Sequence, residues 1–218
     1  MTVYLFLFLA MLVSLCVSPA MAGQENAEAP VVVAKFSDKG QFPGKNLDFK
    51  TEINEKYEFY DVSGDTAKEI RRQMSSNGTK WDDGETYDAL TTWEIKYRYG
   101  TSTENGRCYV SSAKTDVGII FRYPHWTTSS GAPEKLVNRW NEYMGNLRTH
   151  ENGHKDLAVQ TARDISEGLS AMGSFGSCGE LDKAAKALAQ GKLAQLKRSQ
   201  KEYDSTTRHG ETQGAVFP

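Results

Sequence analysis

The sequence predicts an α+β fold in which an antiparallel β-hairpin packs against a long helix and a C-terminal helix. Residues 93–99 alternate apolar and charged side chains, with the two-residue period of a half-buried strand. Residues 133–172 instead repeat apolar side chains every three or four positions, as an amphipathic helix does. A second helical pattern runs from Leu181 to Tyr203, after a loop rich in glycine and serine, and a polar tail is expected at residues 204–218.

The first 22 residues have the pattern of a signal peptide. An apolar run ends in Ala20-Met21-Ala22, the small-x-small sequence after which signal peptidases cut. We therefore expect residues 1–22 to be removed and the mature protein to be secreted or periplasmic, with no stable membrane insertion. The run contains no lysine or arginine, which leaves an N-terminal anchor as the alternative; the short apolar run disfavours it.

The rest of the chain divides into a short extension and one domain. Residues 23–56 are predicted to be the extension, with an edge strand at 31–36 and a loop at 45–56. Residues 57–218 are enough for one domain with its own core. Ahead of the long helix this domain is predicted to contain a strand, a short helix and the two hairpin strands, at residues 57–62, 66–74, 93–99 and 108–123. The hairpin turn is expected at residues 100–106.

Pro133 suits the start of the long helix, and Gly145 is a candidate break within it. The stripe expected to face the core contains Leu136, Trp140, Tyr143, Leu147, Leu157, Thr161, Ile165 and Leu169. Between Leu147 and Leu157 the stripe has no apolar residue, and His150 and His154 occupy its positions with the same spacing. Gly153 lies between them, where it costs about 1 kcal/mol relative to alanine, and a close approach of the hairpin would explain it.

His150-Glu151-Asn152-Gly153-His154 matches the H-E-x-x-H pattern of zinc hydrolases. Histidines four apart lie on one helix face, with Cβ atoms about 5–6 Å apart, so both rings can reach one Zn²⁺. Zinc lowers the pKa of water to about 7, and Glu151 can take its proton as the water attacks a carbonyl. The alternative is that the two histidines bind no metal and lie either on the surface or in the core with hydrogen-bond partners. Burial of two imidazoles with neither a metal nor such partners would cost free energy.

A catalytic zinc site needs a third protein ligand. The usual continuations fail, because Leu157 and Gln160 occupy positions where one class has glycine and histidine. We favour His209, just beyond the final helix, and keep Asp204 and Glu180 as alternatives. Tyr203 and Arg208 are further candidates, as donors to the oxyanion that forms on the substrate.

The charge and cysteine content exclude some classes of protein. The chain has 26 basic and 28 acidic side chains without a block of either sign, so nucleic acid is not an expected partner. Beyond the signal peptide only Cys108 and Cys178 remain. In an exported chain two cysteines predict one disulfide rather than a thiol nucleophile.

Several segments together resemble a known bacterial family of uncharacterised domains, described as predicted secreted zinc-dependent proteases. They are Tyr60-Asp-Val-Ser-Gly64, the strand around Trp93, the motif from His150 to His154, the cysteine pair, and Tyr203-Asp204 with Thr207-Arg208-His209-Gly210. The resemblance covers residues 55–214. It implies a zincin-like fold, His150 and His154 as zinc ligands, Glu151 as the base and His209 as a plausible third ligand.

Residues 57–218 are therefore predicted to be a zinc-dependent hydrolase domain, and the protein a secreted metallopeptidase acting on a polypeptide or peptide. The same site could instead act on a cell-wall peptide or another amide. The non-enzymatic alternative is an exported binding module whose metal is structural or absent. A structural site is closed by four protein ligands, whereas a catalytic one keeps a position open.

Overall fold

The computed structural model describes residues 32–36, 48–81, 84–128 and 131–218, so the predicted signal peptide lies outside the described residues. In chain order the elements are β1 (Val32–Phe36), β2 (Asp48–Ser63), α1 (Ala67–Asn77), β3 (Thr79–Lys80), β4 (Thr86–Tyr87), β5 (Leu90–Glu104), β6 (Arg107–Thr127), α2 (Glu134–Ser170) and α3 (Cys178–Thr207). A single 3-10 turn, Glu211–Gln213, follows α3. None of the described helices is long and apolar enough to span a membrane.

The α+β class is confirmed, but the sheet is mixed rather than antiparallel. Its strand order is β1-β2-β6-β5, with β5 and β6 forming the predicted antiparallel hairpin. β2 runs parallel to β6 and pairs with it from Asp48 to Ser63. Side-chain period reveals that a segment is a strand but not its direction, and the long connection through α1 and the hairpin brings β6 back parallel.

The prediction of a loop at residues 45–56 is wrong from Asp48 onward, because β2 begins there and crosses the predicted boundary at residue 57. Residues 45–47 lie outside the described residues. Ile53 on this stretch is buried and lies opposite Val117 of β6. Lysine, glutamate and asparagine fill most neighbouring positions, which hid the two-residue period. β1 pairs with this part of β2 at the edge of the sheet, as predicted for residues 31–36.

The hairpin turn is tighter than the predicted range 100–106. β5 ends at Glu104 and β6 begins at Arg107, which leaves Asn105 and Gly106 as the two turn residues. Both have positive φ, 51° and 73°. Asn-Gly is the preferred pair for such a turn because both residues tolerate the left-handed region, so the sequence contained the signal.

The chain that leads into β5 is fixed by a partly buried polar network around Asp88. The Asp88 carboxylate accepts hydrogen bonds from the Arg71 guanidinium and from the Tyr143 hydroxyl, the latter at 2.6 Å. The Tyr60 hydroxyl donates to the Asp88 carbonyl at 2.7 Å. Because these partners come from α1, α2 and β2, the start of β5 is held firmly against the long helix.

α2 is one continuous helix that packs across β2, β5 and β6, with α3 packed beside it. The predicted break at Gly145 is absent. Most of the predicted stripe is buried, and Leu157 and Thr161 are half-buried at its margin. Buried apolar residues lie on both sides of the H-E-x-x-H motif along the helix, so the motif is a polar interruption within the core.

α3 is joined to the sheet by the predicted disulfide, which links Cys108 at the start of β6 to Cys178 at the start of α3. Ser177 caps the helix by accepting from the Glu180 N–H. The segment after α3 is not a bland polar tail. It turns back along α2, and Phe217 is buried against Trp140 and Tyr143.

Candidate metal centre

His150 and His154 lie on the same face of α2, as the motif predicts. Their Nε2 atoms are 3.3 Å apart, and their ring centroids are 4.8 Å apart. Both residues are buried, with exposed fractions of 4% and 9%. The two rings therefore converge on one point instead of pointing into solvent.

Asp204, from the last turn of α3, completes the cluster. Its Oδ1 is 2.9 Å from Nε2 of His154 and 3.4 Å from Nε2 of His150. The three residues form a group whose ligand atoms all lie within 4.8 Å of one another. Burial favours a higher pKa for Asp204, but hydrogen bonds with the two imidazoles outweigh burial and hold the pKa well below its usual value.

His209, the favoured third ligand on sequence, lies outside this group. Its Nδ1 is 3.6 Å from Oδ1 of Asp204, and its side chain is 55% exposed. Glu180 lies in the first turn of α3, whereas Asp204 lies in the last. At 1.5 Å per residue these two positions are on the order of 35 Å apart, so Glu180 cannot reach the histidines.

Gln200 fixes the tautomer of His154. The Gln200 side-chain amide donates to the His154 carbonyl oxygen at 2.9 Å, which turns its Oε1 toward Nδ1 of the His154 ring. An amide oxygen only accepts hydrogen bonds, so Nδ1 has to carry the proton. In the neutral imidazole, the Nε2 lone pair of His154 therefore faces the cluster.

Gln213 does the same for His150 through a relay. The Tyr203 hydroxyl donates to the His150 carbonyl oxygen at 3.2 Å and accepts from the Gln213 amide at 3.0 Å. Gln213 Oε1 therefore faces Nδ1 of His150, at 3.0 Å. Such outer partners orient metal-binding histidines and raise their affinity for the ion.

When both imidazoles are neutral, three acceptor atoms therefore point at one another: the two Nε2 lone pairs and a carboxylate oxygen. Only a positive charge between them can satisfy all three. A proton would satisfy one pair, whereas a divalent cation serves the whole set. With bonds of about 2.0–2.1 Å, ligands of tetrahedral zinc lie roughly 3.3 Å apart, and the distances of 2.9, 3.3 and 3.4 Å match that spacing. The donor set therefore fits a zinc ion.

Glu151 is buried between α2 and β5, with an exposed fraction of 4%. Its Oε2 accepts a hydrogen bond of 2.6 Å from the Thr91 hydroxyl. Burial raises the pKa of Glu151, and the Thr91 hydrogen bond and the nearby histidines only partly oppose this rise. Its side chain is outside the ligand group, as expected for a base rather than a ligand.

Gly153 is explained by α3 and not by the hairpin. The Tyr203 ring stacks on the His150 ring, with centroids 5.1 Å apart and planes 10° from parallel. A Cβ atom at residue 153 would lie 2.8 Å from Tyr203 Cε1 and still closer to Cζ and the hydroxyl. A side chain at this position would displace the ring that orients His150.

The sequence reasoning missed the residues that support the site. Gln200, Tyr203, Asp204 and Thr207 continue the α2-facing side of α3 beyond Leu196, at spacings of three or four. A polar stripe that continues an apolar one could have indicated a buried polar site. Thr91 and Gln213 carry no comparable signal, because they meet the motif helix only through the folding of distant segments.

The fold and the cluster define an α+β domain with an H-E-x-x-H helix and an acidic residue close to its two histidines. The chain belongs to the family described as bacterial protein of unknown function (DUF922), whose model matches residues 57–210. The family is thus of the uncharacterised bacterial kind that the sequence suggested, and the activity attached to that resemblance remains a prediction. No match was found among curated proteins or solved structures.

Proposed function

We propose that this protein is a zinc-dependent hydrolase that cleaves peptide bonds, with His150, His154 and Asp204 as zinc ligands and Glu151 as general base. The observation that supports this proposal most strongly is the convergence of two buried imidazole nitrogens and one carboxylate oxygen at the spacing of zinc ligands. Asp204 replaces His209, the ligand favoured on sequence.

Zinc held by these residues would supply a Lewis acid that lowers the pKa of water and polarises a carbonyl. Glu151 would take a proton from the attacking water as the water oxygen bonds to the carbonyl carbon. The same carboxyl group would then pass that proton to the amide nitrogen, which leaves with the electron pair of the broken C–N bond. The raised pKa of Glu151 suits both transfers, because it brings proton uptake and release closer to neutral pH.

Thr91 supports the assignment of the base. Its hydroxyl donates to one carboxylate oxygen and lies 3.2 Å from the Glu151 carbonyl oxygen, so it fixes the carboxylate relative to α2. Export of the protein is also part of the proposal. The Cys108–Cys178 disulfide is typical of proteins that leave the reducing cytosol.

The non-catalytic alternative, an exported binding module with a structural metal, has one observation in its favour. The His209 ring is only 3.6 Å from Asp204, and a small rotation could make it a fourth ligand. Four protein ligands would close the site to substrate.

Zinc content and peptide hydrolysis, measured on the same preparations, separate these functions. Wild type and Glu151→Gln should each bind about one zinc per chain. Cleavage of a peptide mixture, followed by mass spectrometry, should occur only with wild type, and should disappear with a chelator and return with zinc. Glu142→Gln, at an exposed position on the same helix, is the matched control.

Two results would contradict the proposal. If wild type binds no zinc, the proposed metal centre is wrong. Equal cleavage by wild type and Glu151→Gln would remove Glu151 from the reaction, and zinc binding without cleavage of any peptide would favour the binding module.

A further inference from the structure

The backbone after α3 adopts an unusual conformation beside the candidate metal centre. Arg208, His209 and Gly210 are consecutive residues with positive φ, at 50°, 53° and 85°. Residues other than glycine rarely adopt this region, and two in a row carry strain that the surrounding structure must maintain. Strain of this kind, next to a candidate active site, raises the question of what it positions.

Contacts with the metal ligands themselves hold the strained segment. The His209 N–H donates to the Asp204 carbonyl oxygen at 2.9 Å. A Cβ atom at residue 210 would lie 3.0 Å from Cγ of His150, so Gly210 allows the chain to pass directly against that ring. The segment is therefore built around the cluster and cannot relax without disturbing it.

The result is an imidazole on the accessible side of an otherwise buried cluster. The His209 side chain is 55% exposed, whereas those of His150 and His154 are only 5% and 11% exposed. Its ring packs against Tyr87 from β4, with centroids 5.2 Å apart. Its Nδ1 is 3.6 Å from Asp204 Oδ1, which is too far for a good hydrogen bond.

The two hydroxyl groups that contact the motif helix beside the cluster already have partners. The Tyr203 hydroxyl donates to the His150 carbonyl oxygen, and the Thr91 hydroxyl donates to the base. Tyr203, which the sequence suggested as an oxyanion donor, is thus committed to orienting a ligand. His209 combines an N–H donor, exposure to an incoming substrate and a position next to the ligand atoms.

We propose that His209 is a catalytic residue that donates a hydrogen bond to the substrate carbonyl oxygen as it becomes an oxyanion, and that it is not a zinc ligand. This inference rests on the hydrolase function proposed above. As water bonds to the carbonyl carbon, the C=O electron pair moves onto oxygen, and an imidazole N–H of His209 stabilises that charge without transferring its proton. The pair returns to the carbonyl when the C–N bond breaks.

His209→Asn tests the proposal with little added strain, because asparagine tolerates positive φ better than most residues. We expect kcat to fall about 100-fold with KM nearly unchanged, as when one oxyanion donor is removed. Zinc stoichiometry, and zinc affinity measured by competition with a chelating dye, should stay within about twofold of wild type. His209→Gly, which also accepts this φ, should behave in the same way.

His125→Asn is the matched control. His125 is another exposed histidine beside a carboxylate, with Nδ1 3.0 Å from Asp61, and it belongs to β6 outside the cluster. Its kcat and zinc affinity should equal those of wild type. Circular dichroism and thermal unfolding of all variants would reveal any loss of fold.

Each other outcome overturns the proposal in a different way. A tenfold or greater loss of zinc affinity in His209→Asn would make His209 a fourth ligand of a closed site. An unchanged kcat in His209→Asn would mean that His209 takes no part in the reaction. A wild-type protein without hydrolysis would defeat the proposed function and this inference together, whereas an active wild type with an equally active His209→Asn would defeat the inference alone.

Discussion

Gly153→Ala tests whether the packing of α3 on the motif helix organises the metal centre. The added Cβ would lie 2.8 Å from Tyr203 Cε1 and closer still to the phenol oxygen, whereas carbon contacts are normally about 3.5–4.0 Å. The Tyr203 ring must therefore retreat by roughly 1 Å or more. Retreat would weaken its stacking on His150 and its 3.2 Å hydrogen bond to the His150 carbonyl oxygen.

The expected change in stability follows from opposing contributions. Alanine is favoured over glycine in a helix by about 1 kcal/mol. Overpacking typically costs about 1–3 kcal/mol, and a lost hydrogen bond about 1 kcal/mol. We expect Gly153→Ala to lower the free energy of unfolding by roughly 1–3 kcal/mol. The disturbed relay to Gln213 should also weaken zinc binding about tenfold.

Gly145→Ala is the same substitution two turns earlier in α2, where a Cβ would meet nothing within 4 Å. It should raise the stability by about 1 kcal/mol and leave zinc affinity unchanged. Urea unfolding of the metal-free proteins gives the stabilities, and competition with a chelating dye gives the affinities. If the two alanine variants proved equally stable and bound zinc equally well, contact between Gly153 and the Tyr203 ring would not be what organises the site.

Three further predictions concern the residues that support the site. Thr91→Val should lower kcat about tenfold, because Glu151 loses the hydrogen bond that orients its carboxylate. Thr91→Ser should restore activity, and Thr92→Val is the control. A fully active Thr91→Val variant would contradict the role of Thr91 in orienting the base. Gln213→Leu should lower zinc affinity by about 10–100-fold, measured by dye competition, and unchanged affinity would exclude it as an orienting partner. Reduction of the Cys108–Cys178 disulfide, which spans 70 residues, should lower the free energy of unfolding by about 4 kcal/mol, measured by urea unfolding. An unchanged urea midpoint would contradict this stabilising role of the disulfide.

The choice between Asp204 and His209 shows where sequence reasoning stopped. The apolar period of α3 fades at Tyr203, so the pattern alone predicts a tail after that residue. The helix instead continues to Thr207. This extra turn keeps Asp204 on the side that faces α2, next to Gln200. An apolar pattern cannot reveal a helix that continues because its polar side chains meet a polar site.

The strands show a similar division. The alternation in β5 and the Asn105-Gly106 pair are local signals, and the hairpin that they indicate is present. The first half of β2 was missed because its buried position at Ile53 is surrounded by polar residues. Its parallel pairing with β6 depends on a contact between segments about 60 residues apart, on which local pattern carries no information.

The sequence by itself determined the spacing of His150 and His154 and the neighbouring position of Glu151, because residues three or four apart on a helix have a fixed relation. It also determined the disulfide, since the expected mature chain offers two cysteines. Only the tertiary structure decided that Asp204, Gln200 and Gln213 meet those histidines. Their positions depend on how α3 and the C-terminal segment pack against α2, and packing of distant segments is set by side-chain fit across the whole core.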